Sequence, residues 1–64
     1  IKVNGQFQQF DAPLSVLSLA ERLNLNPKQV AIERNMEIVP RSLFGEVLLS
    51  DGDAIEIVHF IGGG

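Results

Sequence analysis

The sequence predicts an α+β fold, a mixed sheet with one helix packed across one of its faces. Three observations carry that expectation. Segments at Ile1–Val3, Val30–Arg34 and Ala54–Ile61 alternate apolar and polar residues with the period of a strand. Only Val16, Leu19, Ala20 and Leu23 follow helical spacing, and they make a single apolar stripe. Turn signals at Asn4-Gly5, Asn35-Met36-Glu37 and Asp51-Gly52-Asp53 separate the strands.

Taken in order, Ile1-Lys2-Val3 reads as a strand with Ile1 and Val3 inward. Asn4-Gly5 is a strong hairpin signal, since both residues tolerate positive φ. A two-residue turn pairs Val3 with Gln6, whereas a three-residue loop through Gln6 pairs Val3 with Phe7. The second keeps apolar residues together and is the expected register, with Gln6 to Phe10 as the returning strand. Asp11-Ala12-Pro13 breaks the pattern ahead of the helix. Ser15 is the expected N-cap, with Ser18 and Glu21 as a competing capping box one turn later. Asn24, Asn26 and Pro27 end the helix.

Ile38-Val39 returns after the Asn35 turn until Pro40 removes a ladder donor. Arg41 to Gly45 reads as a turn or 3₁₀ segment that tucks Leu43 or Phe44 under the sheet edge. Val47-Leu48-Leu49 reads as a short strand. In the last strand Ile55 and Ile57 share one face, expected against Leu19 and Leu23 of the helix. Val58 and Phe60 share the other face and are the expected docking patch, unless the 40–49 segment folds over them. This order places the first and last strands side by side in the middle, the β-grasp arrangement. Residues 1–61 are expected to form that domain and residues 62–64 a flexible glycine tail.

Composition narrows the function classes. With 64 residues and no cysteine, stability must come from packing alone, for which a hydrophobic fraction of 45% suffices. The net charge of −3 spreads five basic residues among eight acidic ones, with no basic stripe to suggest nucleic acid. No apolar run approaches the ~18 residues that span a bilayer, so neither a membrane partner nor a signal segment is expected and the cytoplasm is the expected location. His59 stands without a second metal-ligating neighbour. Asp51-Gly52-Asp53 lacks the spaced ligands of a calcium loop, and no serine sits in a nucleophile motif. No catalytic or metal residue of its own is expected. The strongest strand instead runs into Gly62-Gly63-Gly64, a stalk without side chains that fits a channel too narrow for any other residue.

The Glu33-Arg34-Asn35 turn, Ile38-Val39-Pro40-Arg41, Asp51-Gly52-Asp53 and the run Ile55 to Gly64 together resemble the ThiS-type sulfur carriers of the ubiquitin-like β-grasp superfamily. That resemblance implies a protein substrate and not an enzyme. An E1-like adenylating enzyme uses ATP to activate the terminal carboxylate on Gly64, with Gly62 and Gly63 as the slim approach through its channel. A sulfur-donor protein then converts the adenylate to a thiocarboxylate, which gives its sulfur to thiazole synthase in thiamine biosynthesis. No bound cofactor is implied. A carrier for molybdopterin, tRNA thiolation or cysteine synthesis shares the same tail chemistry. A non-covalent β-grasp interaction module is the reading from a different class.

Overall fold

The computed structural model describes residues 1–10 and 13–60. The expected break at Asp11-Ala12, the end of the last strand at Ile61 and the tail Gly62–Gly64 lie outside the described residues. In chain order the described elements are β1 (Lys2–Val3), β2 (Gln6–Phe7), α1 (Val16–Arg22), β3 (Val30–Arg34), β4 (Glu37–Ile38) and β5 (Ala54–His59), with 3₁₀ turns at Pro27–Gln29 and Arg41–Leu43. They form one sheet in the order β2-β1-β5-β3-β4. β1 and β5 pair in parallel, Lys2 beside Ala54 and Val3 beside Ile55. The remaining pairs are antiparallel. Parallel neighbours need a crossover, and α1 lies within it. This is the α+β, β-grasp architecture expected from the sequence.

Ser15 caps α1 as expected, its Oγ accepting the Ser18 N–H at 3.0 Å, and the later start at Ser18 is not used. The helix stops at Arg22 because Asn24 turns left-handed (φ +59°). Asn24 N–H then donates to Glu21 O and Leu25 N–H to Ala20 O, which satisfies two otherwise orphan carbonyls. Val16, Leu19 and Ala20 are fully buried against Val3, Val30, Ile32 and Ile55 of the sheet. Leu23 and Ile57, expected in the same interface, pack half-buried at its rim.

The first hairpin differs from the expected register. Val3 pairs with Gln6 and Lys2 with Phe7, across a two-residue turn with Asn4 at φ +49° and Gly5 at φ +83°. Two consecutive positive φ values make the turn whose twist matches the flanking strands, and Asn-Gly adopts it without strain. That backbone preference outweighs the apolar Val3–Phe7 match. Phe7 lands on the outer face, where the Lys2 ammonium sits 4.9 Å from its ring centroid. The strand also ends earlier than expected, the pairing continuing only through Gln8, whose N–H donates to Ile1 O and whose carbonyl accepts from the Ile1 amino group.

The second hairpin repeats the same turn with Asn35 at φ +52° and Met36 at φ +71°. Phe44, not Leu43, enters the core beneath the sheet edge. Val47–Leu49 is not a sheet strand. Val47 N–H is already bonded to Leu43 O, and the segment pairs instead with the chain entering the helix, through Val16 N–H to Val47 O and Leu49 N–H to Leu14 O.

Candidate functional site

β5 organises every feature that could meet a partner. Side chains alternate along it, so Ile55 is buried toward α1 while Ala54, Glu56 and Val58 point to the opposite face. Across from β5, Ala31 pairs with Val58 and Glu33 with Glu56 on that outer face. Ile38 of β4, opposite Glu33, extends it on one side, and Lys2 and Phe7 extend it on the other. The result is an uncovered sheet face with Phe7 82%, Ile38 63%, Val58 61% and Phe60 54% exposed. The 40–49 segment leaves Val58 and Phe60 open, because Phe44 and Val47 pack with the helix on the other side.

The end of β5 is held on both edges. Toward β3, Phe60 N–H donates to Gln29 O at 2.9 Å, one step beyond the Val30–His59 pair. Toward β1, the Asn4 side chain takes the place of a strand residue. Its Oδ1 accepts the Ile57 N–H at 2.7 Å and its Nδ2 donates to Ile57 O at 3.3 Å. Phe60 is thereby fixed four residues ahead of Gly64 in the sequence.

The start of β5 is held by a buried carboxylate. Asp53 accepts from Arg34 Nε at 2.8 Å, Asn35 Nδ2 at 3.0 Å and the Ser50 N–H at 2.8 Å. The Asn35 Oδ1 in turn accepts the Ala54 N–H at 3.0 Å. Burial of Asp53 works to raise its pKa. The Ser50 amide outweighs that together with the Arg34 and Asn35 hydrogen bonds and the Arg34 charge, so the carboxyl titrates below its ordinary value. A wide cleft of about 480 Å³ opens at this same end, between Gln8, Phe10, Leu14, Leu49 and Asp51.

The sequence-nominated residues are thus divided. Val58 and Phe60 come together on the outer face, and Gly62, Gly63 and Gly64 lie outside the described residues. Asp51-Gly52-Asp53 is a turn with Gly52 at φ +88°, but its second aspartate is a buried anchor. Sequence reasoning missed that anchor, although Arg34-Asn35 and Asp53 were each singled out within separate motifs. It also missed Phe7 and Ile38 as parts of the outer face. Among the described residues no group of three or more His, Asp or Glu side chains gathers to hold a metal. Nor is any described helix long and apolar enough to cross a membrane.

Comparison with known proteins places the chain in a family. The crystal structure of the thiamine biosynthesis protein ThiS from Geobacter metallireducens superposes with a TM-score of 0.84 at 35% identity, covering 98% of this chain and 96% of that one. The sulfur carrier protein ThiS of Bacillus subtilis is 46% identical over 50 residues, 78% of this chain and 76% of its own length. A thiazole synthase of Paramagnetospirillum magneticum is 47% identical over 62 residues, 97% of this chain, which spans only 19% of that protein's length. The model of the ThiS family matches residues 1–64. From the fold, the closing strand and a match that runs through the last glycine, the chain belongs to the ThiS family.

Proposed function

We propose that this chain is a sulfur carrier of thiamine biosynthesis, modified at Gly64 and not itself a catalyst. The observation that carries the reading is the whole-length family match, which includes Gly62, Gly63 and Gly64. A carboxylate is a poor electrophile until a better leaving group replaces its oxygen. An E1-like adenylating enzyme supplies that group from ATP, joining the Gly64 carboxylate to AMP and releasing pyrophosphate. A persulfide on a donor protein then attacks the acyl carbon and displaces AMP. A second thiol cleaves the resulting acyl disulfide, releasing the thiocarboxylate and leaving a disulfide on the donor side. Thiazole synthase takes that sulfur. A carrier-like segment within the Paramagnetospirillum thiazole synthase supports this partner. The cytoplasm, where ATP is supplied, is the compartment this chemistry needs.

The test is intact mass after incubation with ATP, the adenylating enzyme and the sulfur donor. A sulfur-for-oxygen shift located at Gly64 is expected, and the same measurement reports whether Gly64 bears a free carboxylate. A mass unchanged under conditions that load a known carrier overturns the reading.

Docking separates from chemistry. Val58 and Phe60 rest on exposed sheet, so Val58→Asp or Phe60→Asp is expected to weaken binding to the adenylating enzyme at least tenfold. The melting temperature stays within about 2 °C of wild type, as for other exposed substitutions. Unfolding of either variant would place these side chains in the core and end the docking assignment.

A further inference from the structure

The outer face carries a feature that packing alone does not favour. Glu33 of β3 and Glu56 of β5 are direct register partners and project from the same face. Like charges directly opposed across an antiparallel pair are destabilising. Among the described residues nothing neutralises them. The ion pair that does form is Arg34–Asp53, and Arg34 belongs to the helix-side register. Arg41 is engaged with the carbonyls of Pro27 and Val30. Lys2 shares the outer face, but its ammonium lies over the Phe7 ring.

Apolar side chains frame the two carboxylates. Val58 and Ala31 form the next register pair on the same face along the strands, Ile38 stands opposite Glu33, and Phe7 and Phe60 are exposed beyond. A second copy of the chain is a poor occupant. An isologous contact through this face sets the Glu33–Glu56 pair of one copy against that of the other and brings four carboxylates together. A surface with a cation at its centre and apolar groups around it complements both the charge and the frame.

We propose that this face receives a protein partner that inserts one arginine or lysine between Glu33 and Glu56, with apolar side chains packed around it on Ile38, Val58 and Phe60. Arginine fits best, since its planar fork offers donors to both carboxylates at once. The inference rests on the carrier reading and states the chemistry of the partner's side of the contact. Glu33 and Glu56 then set which surfaces the carrier accepts, while the glycine tail sets what is done to it.

The experiment measures binding of the chain to the adenylating enzyme and to the thiazole synthase of the source organism, over a series of salt concentrations. The double variant Glu33→Gln with Glu56→Gln keeps the shape and removes the charge. It is expected to raise Kd at least tenfold for one of these partners, to flatten the salt dependence, and to melt at or above the wild-type temperature. Glu56→Gln alone, at the more exposed position, is expected to raise Kd about threefold and covers the case in which the double variant folds poorly. Glu21→Gln with Glu46→Gln makes the same change in net charge elsewhere and leaves Kd within twofold. If the outer-face variants behave like this control while wild type binds and acquires its thiocarboxylate, the inference falls and the carrier reading stands. If wild type binds neither enzyme, both fall together.

Discussion

A chain extended by one alanine beyond Gly64 is expected to form no adenylate and no thiocarboxylate, while melting at the wild-type temperature. The extension moves the carboxylate past the reacting point by about 3.3–3.6 Å and adds a Cβ where the carrier reading requires none. Deleting Gly64 makes the opposite error by the same distance. Gly63→Val keeps the length but restricts the backbone and thickens the stalk. A misplacement of ~1 Å can already cost on the order of a hundredfold in rate, so each of the three variants is expected to fall at least that far. None of the three changes alters a described residue of the buried core. Single-turnover adenylation followed by intact mass reads the result, with mass also excluding proteolytic trimming of the added residue. Sulfur transfer at the wild-type rate by the untrimmed, extended chain would remove the carrier reading and favour a non-covalent binding module.

The second large effect is on stability. Asp53→Ala is expected to cost about 2–4 kcal/mol, because it strips the hydrogen-bond acceptor from Arg34, Asn35 and the Ser50 amide together and leaves a half-buried guanidinium unpaired. Its pH dependence has a definite sign. The Asp53 pKa is depressed in the folded protein, so its contribution is complete above the ordinary value of 3.8 and is lost as pH falls through the lower, folded value. The stability gap between wild type and Asp53→Ala, measured by denaturant titration, should therefore be constant near neutrality and close under acid conditions. A gap that persists unchanged at acid pH would mean the variant acts by distorting the 50–54 turn and not by losing a charged partner.

Much of this molecule was legible in its sequence because period and punctuation agreed with each other. The stripe from Val16 to Ala20, the alternation in Val30–Arg34 and the Asn35 turn each specify an element locally, and each is present. What sequence reasoning lost depended on competition between local rules. At Asn4-Gly5 the backbone turn overrode side-chain matching and sent Phe7 outward. At Val47–Leu49 a turn bond to Leu43 took the donor that a sheet strand would have used. Asp53 was missed for a different reason. Its partners Arg34 and Asn35 are 19 and 18 residues away, and no periodicity links residues that meet only after the sheet has formed.

The strand order has a consequence for how the chain acquires its shape during synthesis. β2–β1 and β3–β4 are two separate hairpins, and within the sheet only β5 touches both. A nascent chain that ends at Leu49 therefore holds two ribbons with no strand between them, and two-stranded ribbons are marginal in water. Pairing Lys2 with Ala54 closes a loop that spans nearly the whole chain, the kind of distant contact that slows folding. The central strand also follows the other four in the sequence, directly ahead of Gly62-Gly63-Gly64. The sheet therefore closes only after β5 has been made. A chain cut back ahead of Ala54 loses the strand that joins the two hairpins, and with it the single sheet.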